Sequence, residues 1–311
     1  MKNIVSKIPV NILEKELTPE KFMRNTNKGG NQIFIVTAHD SPNIMHEIGR
    51  LREITFRKAG GGTGNETDID SYDIAEIPYK QLIVWDPDAK EILGGYRYIL
   101  CNNIGYNEFG EPFIATEHLF HFTDKFKTEY LPHTLELGRS FVQPEYQSSK
   151  AGAKALFALD NLWDGLGALT VDHPEMKYFF GKVTTYTHFN IDARNFILCF
   201  LNKYFNDHEE LVFPKEKYML QLNLSNYEKY FTNNDFKEDY KILSMKVREN
   251  GENIPPLINA YMSLSPSMRS FGTAINDEFG DVEETGIIVT IKDIYEAKKD
   301  RHIETYLSKK K

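Results

Sequence analysis

An acidic and a basic residue, Glu136 and Arg139, interrupt the apolar segment at residues 135–142. Side chains alternate between the two faces of a strand, so these two point to opposite sides unless the strand carries a bulge, for which Gly138 is a natural position. Charged groups in a buried strand must be paired or hydrogen-bonded. The segment predicts either a structural ion pair or a carboxylate that moves protons, and the residue types alone leave both open.

Three aspartates, Asp68, Asp70 and Asp73, lie close together in the run TDIDSYD. The run lacks the turn glycine and the glutamate at the twelfth position that a calcium loop needs, which disfavours a metal site. Carboxylates that pack together need counter-charge, and arginine can bind a carboxylate through two parallel hydrogen bonds. A surface turn with solvated acids is the alternative. The candidate partners are Arg52, Arg97 and Arg139.

Two segments could hold a phosphate group. The glycine-rich run at residues 59–64 follows a predicted helix and precedes acidic residues, so it lacks the pattern of a nucleotide-binding loop and predicts a loop or lid. The small polar residues at 147–152 lie between a predicted strand and a predicted helix, where free backbone N–H groups and the helix dipole favour an anion. This second segment consists of Gln147, Ser148, Ser149, Lys150, Ala151 and Gly152.

The composition disfavours several classes of protein. The 311 residues are 41% hydrophobic and carry a net charge of −8, which argues against a disordered chain and against a nucleic-acid partner. Two cysteines are too few for a disulfide scaffold, and no Cys/His cluster has zinc-site spacing. The N-terminus lacks an apolar signal segment, and no run reaches the roughly 18 apolar residues of a membrane span. We expect a cytoplasmic protein without a bound metal.

The elements that must position these groups are strands mixed with helices without strict alternation, which favours an α+β domain around a mixed sheet. Apolar β-branched runs predict strands at 32–37, 81–86, 92–101, 134–142, 178–186 and 285–294. Apolar residues at helical spacing predict helices at 43–57, 151–170 and 189–205, and another begins after two prolines at 255–256. The expected organisation is an N-terminal extension at 1–30, a single domain at 31–295 with a polar insertion at about 206–250, and a charged tail at 296–311.

Six segments in order resemble one family, the GNAT-like N-acyltransferases, and within it the amino-acid N-acyltransferases of the ornithine-lipid type, which also carry the label haemolysin. The resemblance runs from about residue 33 to 294 and implies a GNAT-like fold, in which helices flank a central twisted, mostly antiparallel sheet with a splayed centre. The segments are LREITFR (51–57), DIDSYD (68–73), GGYR (94–97), ELGRSFVQPEYQ (136–147), LWDGL (162–166) and the stretch from IPPLINAYMSL to EETGIIV (254–289).

This resemblance implies transfer of a 3-hydroxy fatty acyl group from acyl carrier protein to the α-amine of an amino acid. That reaction is the first step in the synthesis of aminolipids of the ornithine- or glycine-lipid type. No permanently bound cofactor is expected, and the co-substrate is an acyl carrier protein with a 4′-phosphopantetheine thioester, or acyl-CoA. The expected partners are acyl carrier protein and a small amino acid, and the apolar product implies peripheral contact with the inner face of a membrane.

The same residues are similar to the polar signature of acyl-homoserine-lactone synthases, which implies a charged network beneath the amino-acid substrate. The tryptophan that follows the R-x-x-x-F pair in those enzymes is missing here, which argues against a lactone-forming reaction. The matching residues are Arg52 and Phe56 (R-x-x-x-F), Asp70 and Asp73 (D-x-x-D), Arg97 after the strand glycines, and Glu136 with Arg139 (E-x-x-R).

Roles for individual residues follow from the resemblance. Glu136 is the expected base, directly or through a water, because an α-amine is largely protonated at neutral pH. A backbone N–H at Phe141 or Val142 would hold the thioester oxygen. Residues 147–152 would hold the phosphate of the donor arm, with Lys150 as a point charge in place of the first glycine of the acetyltransferase pattern. The residues expected to contact the substrate are Phe56, Ser140 and His188, the last also a rival proton carrier.

Two other functions stay open at this point. An acetyltransferase that uses acetyl-CoA on another small amine would share the fold, and mass spectrometry of the products with each donor would separate it from a long-chain acyltransferase. A non-catalytic lipid-binding or haemolysin-like protein belongs to a different class. The absence of an apolar signal segment argues against its secretion, and a lysis assay with purified protein would test it.

Overall fold

The structure is a computed structural model that describes residues 1–147 and 153–310, with side chains described at 1–147 and 157–308. Its centre is an eight-stranded sheet in the order β1-β2-β3-β4-β6-β7-β10-β9, in which every neighbouring pair is antiparallel except the parallel pair β6–β7. Strands β5 and β8 form a second, two-stranded sheet. The strands are β1 (Phe22–Asn25), β2 (Gln32–Val36), β3 (Lys80–Asp86), β4 (Glu91–Leu100), β5 (Phe120–Phe122), β6 (Thr134–Val142), β7 (Tyr178–Thr185), β8 (Val212–Pro214), β9 (Arg269–Asn276) and β10 (Val282–Thr290).

Helices cover both faces of the large sheet. Helix α2 begins with a proline at its first position, where the fixed φ of proline suits a helix start, and its apolar residues recur at helical spacing. That apolar stripe packs on one face of β2 to β4, while α4 and α5 pack on the other face. The helices are α1 (Val10–Glu16), α2 (Pro42–Lys58), α3 (Ser71–Ile74), α4 (Ala153–Asp172), α5 (Ile191–Tyr204), α6 (Ser225–Glu228), α7 (Phe236–Glu249), α8 (Pro256–Met262), α9 (Glu296–Lys299) and α10 (Thr305–Lys310).

The two central strands separate part of the way along their length. Pairing between β6 and β7 runs from Thr134 opposite Tyr178 to Leu137 opposite Gly181 and ends there, although both strands continue. A bulge in β6 follows directly, because one residue of β4, Tyr96, lies opposite two residues of β6, Arg139 and Ser140. The α+β class and the mostly antiparallel sheet with a splayed centre are therefore confirmed.

The predicted N-terminal extension at residues 1–30 is part of the sheet and core. Strand β1 pairs with β2 at one edge of the large sheet, and Leu13 of α1 is buried in the cluster that α2 forms with the sheet. The few apolar residues of this segment are spaced to cover a sheet edge and a helix, although the segment as a whole is polar. The domain bounds themselves stay a prediction.

The polar stretch at 206–250 and residues 296–310 of the charged tail also pack on the domain. Leu243 and Val247 of α7 are buried in the main core, against α5. In the tail, His302 is buried, and its Nδ1 lies 2.8 Å from Asp164 Oδ1 on α4. Both segments are polar on average, but each turns one apolar or hydrogen-bonding face toward the core. Their composition alone therefore did not predict this packing. None of the helices in the described residues has the length and apolarity required to cross a bilayer.

Candidate active site

A cavity of about 1000 Å³ lies where β6 and β7 separate. Residues 137–142 of β6 form one wall and residues 182–184 of β7 form the other. Because side chains alternate along both strands, the two walls contribute residues from both faces of the sheet, and the cavity passes through the sheet. Its polar half lies on the α2 face, and its apolar half lies on the α4 face, lined by Leu137, Leu159, Val183 and residues 255–258.

Glu136 lines the polar half and is the most enclosed carboxylate there. Its Oε1 accepts a 2.8 Å hydrogen bond from the Thr116 backbone N–H, and its Oε2 accepts one from the Ala115 N–H at 3.3 Å. The Tyr79 hydroxyl also donates to Oε2. Burial raises the pKa of Glu136 to about 8, although the two N–H groups and the charge of Lys182 favour the ionised form. A carboxyl with this pKa takes up and releases protons near neutral pH.

An arginine–aspartate network lies beside Glu136 on the same face of the sheet. Arg97 Nη1 binds Asp70 at 2.7 and 2.8 Å and reaches Asp73 Oδ2 at 3.2 Å, while Arg52 Nη1 binds Asp73 at the same 3.2 Å distance. Burial would raise the pKa of Asp73, but Arg52 and Arg97 hold it well below its usual range. Asp70 also caps α3 by accepting from backbone N–H groups. The network fixes Asp70 at the edge of the cavity.

The bulge in β6 turns Arg139 toward that network. Arg139 has a φ of +48°, a left-handed conformation that costs energy for a residue with a side chain, whereas Gly138 does not have a positive φ. Its Nε lies 2.8 Å from Asp68 Oδ2, its Nη2 lies 3.7 Å from Asp70, and its guanidinium stacks 4.4 Å from the ring centre of Phe279. The predicted bulge is present, but Arg139 adopts the unusual backbone conformation.

An ion pair on the opposite wall was not found from the sequence. Lys182 Nζ of β7 lies 2.7 Å from Glu284 Oε2 of β10, and Asn276 Nδ2 donates to the same carboxylate at 3.0 Å. Burial would raise the pKa of Glu284, but Lys182 and these hydrogen bonds hold it lower. Two features of the sequence could have predicted this ion pair: a single lysine inside the apolar run YFFGKV, and an acidic residue within the last strand. His118, which lines the cavity 3.5 Å from Asp277, was also missed.

The glycine-rich loop is anchored to α2. The buried Glu53 accepts hydrogen bonds from the Thr63 hydroxyl at 2.8 Å and from the backbone N–H of Gly64 at 2.8 Å, and it binds Arg57 at 2.6 Å. Gly62 has a φ of +94°, which a residue with a side chain rarely adopts, so glycine is needed there for the loop to close on Glu53. The loop closes one side of the cavity and carries no lysine that could contact a phosphate.

The other predicted site residues divide into three groups. Arg52 and Asp73 are buried behind the cavity wall, where they support Asp70 and Arg97. His188 is exposed, stacks on Tyr186, and is not among the described residues that line the cavity. The predicted residues that line the cavity are Phe56, Asp70, Arg97, Glu136, Arg139, Ser140, Phe141, Val142 and Gln147. Those that lie outside the described residues are Ser148, Ser149, Lys150, Ala151 and Gly152.

The geometry suits acyl transfer to an amine. Among residues 1–147 and 153–310, no three His, Cys, Asp or Glu side chains are placed to hold a metal ion. The cavity has a polar half and an apolar half on either side of a gap in the sheet, and it contains a carboxyl whose pKa is near neutral. Such a cavity can place a charged acceptor against an acyl thioester.

The comparisons place the chain in a family of acyl-transferring enzymes. A model of the acetyltransferase (GNAT) domain matches residues 51–156. A glycine N(alpha)-acyltransferase of Bacteroides thetaiotaomicron is 59% identical over 307 residues, which cover 99% of this chain and 91% of that protein. A second glycine N(alpha)-acyltransferase, of Phocaeicola vulgatus, is 57% identical over 307 residues, which cover 99% of this chain and 94% of that protein. The chain therefore belongs to the GNAT-like N-acyltransferases and is an acyltransferase.

Two solved structures show weaker likeness. A CoA-dependent acyl-homoserine lactone synthase with MTA is 12% identical, with a TM-score of 0.40 and coverage of 89% of this chain and 90% of that one. The structure of AAC(6')-Ib in complex with ribostamycin and coenzyme A is 11% identical, with a TM-score of 0.32 and coverage of 85% of this chain and 94% of that one. The family assignment rests on the sequence relatives and does not depend on these two structures.

Proposed function

We propose that this enzyme transfers a long, 3-hydroxylated fatty acyl group from an acyl carrier protein thioester to the α-amine of glycine. The N-acylglycine product would be the first intermediate of an aminolipid. Glycine as the acceptor is supported by the names of the two relatives at 59% and 57% identity. The carrier-protein donor and the lipid pathway are the implications of the family resemblance.

The observation that carries the proposal is the passage through the sheet with Glu136 at its polar end. The apolar half has walls of proline and aliphatic residues on α8 and α4, which suit an acyl chain and leave more space than an acetyl group fills. The polar half presents Glu136, Asp70 and Lys182, which suit a zwitterionic amino acid. A thioester lying in the gap would thus have its chain on one side and its attacking amine on the other.

The reaction requires two proton transfers. The Glu136 carboxylate accepts one proton from the glycine ammonium, and the free amine attacks the thioester carbonyl carbon, so that a C–N bond forms. When the C–S bond breaks, the departing thiolate takes the second proton of the amine. Glu136 then releases its proton to solvent. With a pKa of about 8, about one tenth of the Glu136 side chains are ionised at pH 7.

A backbone N–H of β6 can hold the oxyanion of the tetrahedral intermediate. The Gln143 N–H bonds to Leu93 O of β4 at 2.9 Å. Because successive N–H groups of a strand point to opposite sides, the Val142 N–H points away from β4, into the gap that β7 has left. An N–H fixed by a strand costs no reorganisation when negative charge develops, which makes it an effective oxyanion donor. Val142 is therefore favoured over Phe141 for this role.

The test is a reaction of the purified protein with defined donors and acceptors, followed by mass spectrometry. The donors are a long-chain 3-hydroxyacyl carrier protein, the same acyl group on CoA, and acetyl-CoA; the acceptors are glycine and ornithine. We expect N-(3-hydroxyacyl)glycine as the main product, formed fastest from the carrier protein. An acetylated product without any long-chain product would overturn the proposal.

The control separates catalysis from folding. Glu136→Gln retains the shape of the side chain and should abolish most product formation. Glu47→Gln is the matched variant, because Glu47 is also buried and bonded, in its case to Arg50, but does not line the cavity. The Glu47 variant should retain activity whenever it retains the fold, as judged by circular dichroism.

A further inference from the structure

Lys182 and Glu136 point to the same side of the sheet from the two strands that separate. Glu136 lies opposite Phe180 in the last paired section of β6 and β7, and Lys182 follows Phe180 by two residues, which returns its side chain to the same face. Both line the cavity. A cation and a carboxyl thus lie on opposite walls of the polar half, with the gap between them.

Lys182 is a cavity cation that lies outside the arginine–aspartate network. Arg97 binds two aspartates, Asp70 and Asp73, and Arg139 binds Asp68 and approaches Asp70. A lysine ammonium has three N–H donors, and within the described part of the chain the ion pair with Glu284 is the one partner recorded for Lys182. Two N–H donors therefore remain for a ligand on the cavity side.

The surroundings of Glu284 hold the lysine in place. Asn276 donates to Glu284 at 3.0 Å and the Thr184 hydroxyl at 3.4 Å, and the carboxylate is almost fully buried. A fixed carboxylate limits the positions that the ammonium can adopt, so less side-chain entropy is lost when a second anion binds it. Lys182 is thereby preorganised with one side toward Glu284 and the other toward the cavity.

We propose that Lys182 binds the carboxylate of the amino-acid acceptor and that this contact places the α-amine against Glu136. The proposal rests on the function proposed above. In an α-amino acid one carbon separates the two charged groups, so a carboxylate held at one wall directs the amine toward the carboxyl on the other. Amines without a carboxylate would lack this anchor and would be poor acceptors.

The experiment compares acceptors that differ only in the carboxylate. Steady-state kinetics are measured with glycine and with glycinamide, using one long-chain acyl donor at saturation. Lys182→Met alone would leave Glu284 buried without its partner, so the main variant is the double change Lys182→Met with Glu284→Gln, which removes both charges. Lys182→Arg retains a cation, and Lys237→Met, at an exposed position of α7, is the matched surface control.

The predicted result is a change of specificity. In the double variant the KM for glycine should rise about ten- to a hundredfold, the range expected for loss of a charge-assisted hydrogen bond, whereas the KM for glycinamide should change little. Lys182→Arg should recover part of the glycine preference, and Lys237→Met should match the wild type. Equal losses for both acceptors, or an unchanged KM for glycine, would overturn the role of Lys182. If the wild type acylates neither acceptor, the proposed function fails instead.

Discussion

Glu136 carries the most specific prediction, because its burial and its pKa together fix how the rate should depend on pH. The carboxyl has a pKa of about 8 against an ordinary value of 4.5, and burial is the main cause. If Glu136 must be ionised to accept the proton of the amine, the turnover number should rise about tenfold per pH unit below pH 7 and level off above pH 8. Glu136→Gln should lower turnover about 10²- to 10⁴-fold, the usual worth of a positioned base.

The same shift predicts a stability effect that does not depend on catalysis. A carboxyl whose pKa is raised on folding favours the folded state while it is protonated, and this contribution is lost as the pH rises from about 4.5 to about 8. A shift of that size corresponds to about 5 kcal/mol at most. Glu136→Gln cannot ionise, so its stability relative to the wild type should increase over that interval, as urea unfolding at pH 5 and pH 8.5 would measure.

The assay for the rate is turnover at saturating glycine and acyl donor between pH 5.5 and 9.5, for the wild type and Glu136→Gln. If the rising part of the pH–turnover profile is absent in the variant, it reports the ionisation of Glu136. Any pH dependence that both proteins share belongs to the substrate amine or to another group. A variant that keeps wild-type turnover, or keeps the limb near pH 8, would refute the role of Glu136 as the base. Glu47→Gln provides the control for folding.

Three further predictions concern the groups around Glu136 and the fold. Tyr79→Phe removes a donor to the carboxylate, so the pH limb should move to higher pH in the same assay, and an unmoved limb would count against that contact. Asp73→Asn leaves two buried arginines short of a partner and should cost about 3–5 kcal/mol in urea unfolding, while a loss below 1 kcal/mol would contradict the network. Gly167→Ala would place a methyl group 2.4 Å from a carbonyl oxygen of the C-terminal segment and should cost about 1–3 kcal/mol; Gly105→Ala, with open space around it, should not.

The sequence contained the local parts of the site. Charged residues inside apolar strands indicated Glu136 and Arg139, and the carboxylate run indicated arginine partners that the structure brings together. The strand prediction at 134–142 coincides with β6, and the break between the two central strands followed from the family resemblance. These features depend on residue type and on spacing within one segment, which a sequence displays directly.

The features of the site that the sequence did not predict are contacts between segments that are distant along the chain. The backbone N–H groups that bind Glu136 come from residues 115 and 116, in an irregular segment that no periodic pattern describes. The pairing of Lys182 with Glu284 depends on the register of β7 against β10 over a separation of about 100 residues. Likewise, the packing of the two chain ends follows from a few buried side chains in polar segments, which composition averages conceal.

In the proposed reaction, this protein joins a fatty acyl group to glycine through Glu136. The most direct measurement is the mass spectrum of lipids from cells that express the chain and grow on ¹⁵N-glycine, compared with cells that express Glu136→Gln at the same level. We predict an acylglycine lipid that carries one ¹⁵N in the first cells and a loss of at least tenfold in the second. A lipid profile that is the same in both cells would contradict the role of Glu136, and a lipid in which the label lies in another amino acid would contradict glycine as the acceptor.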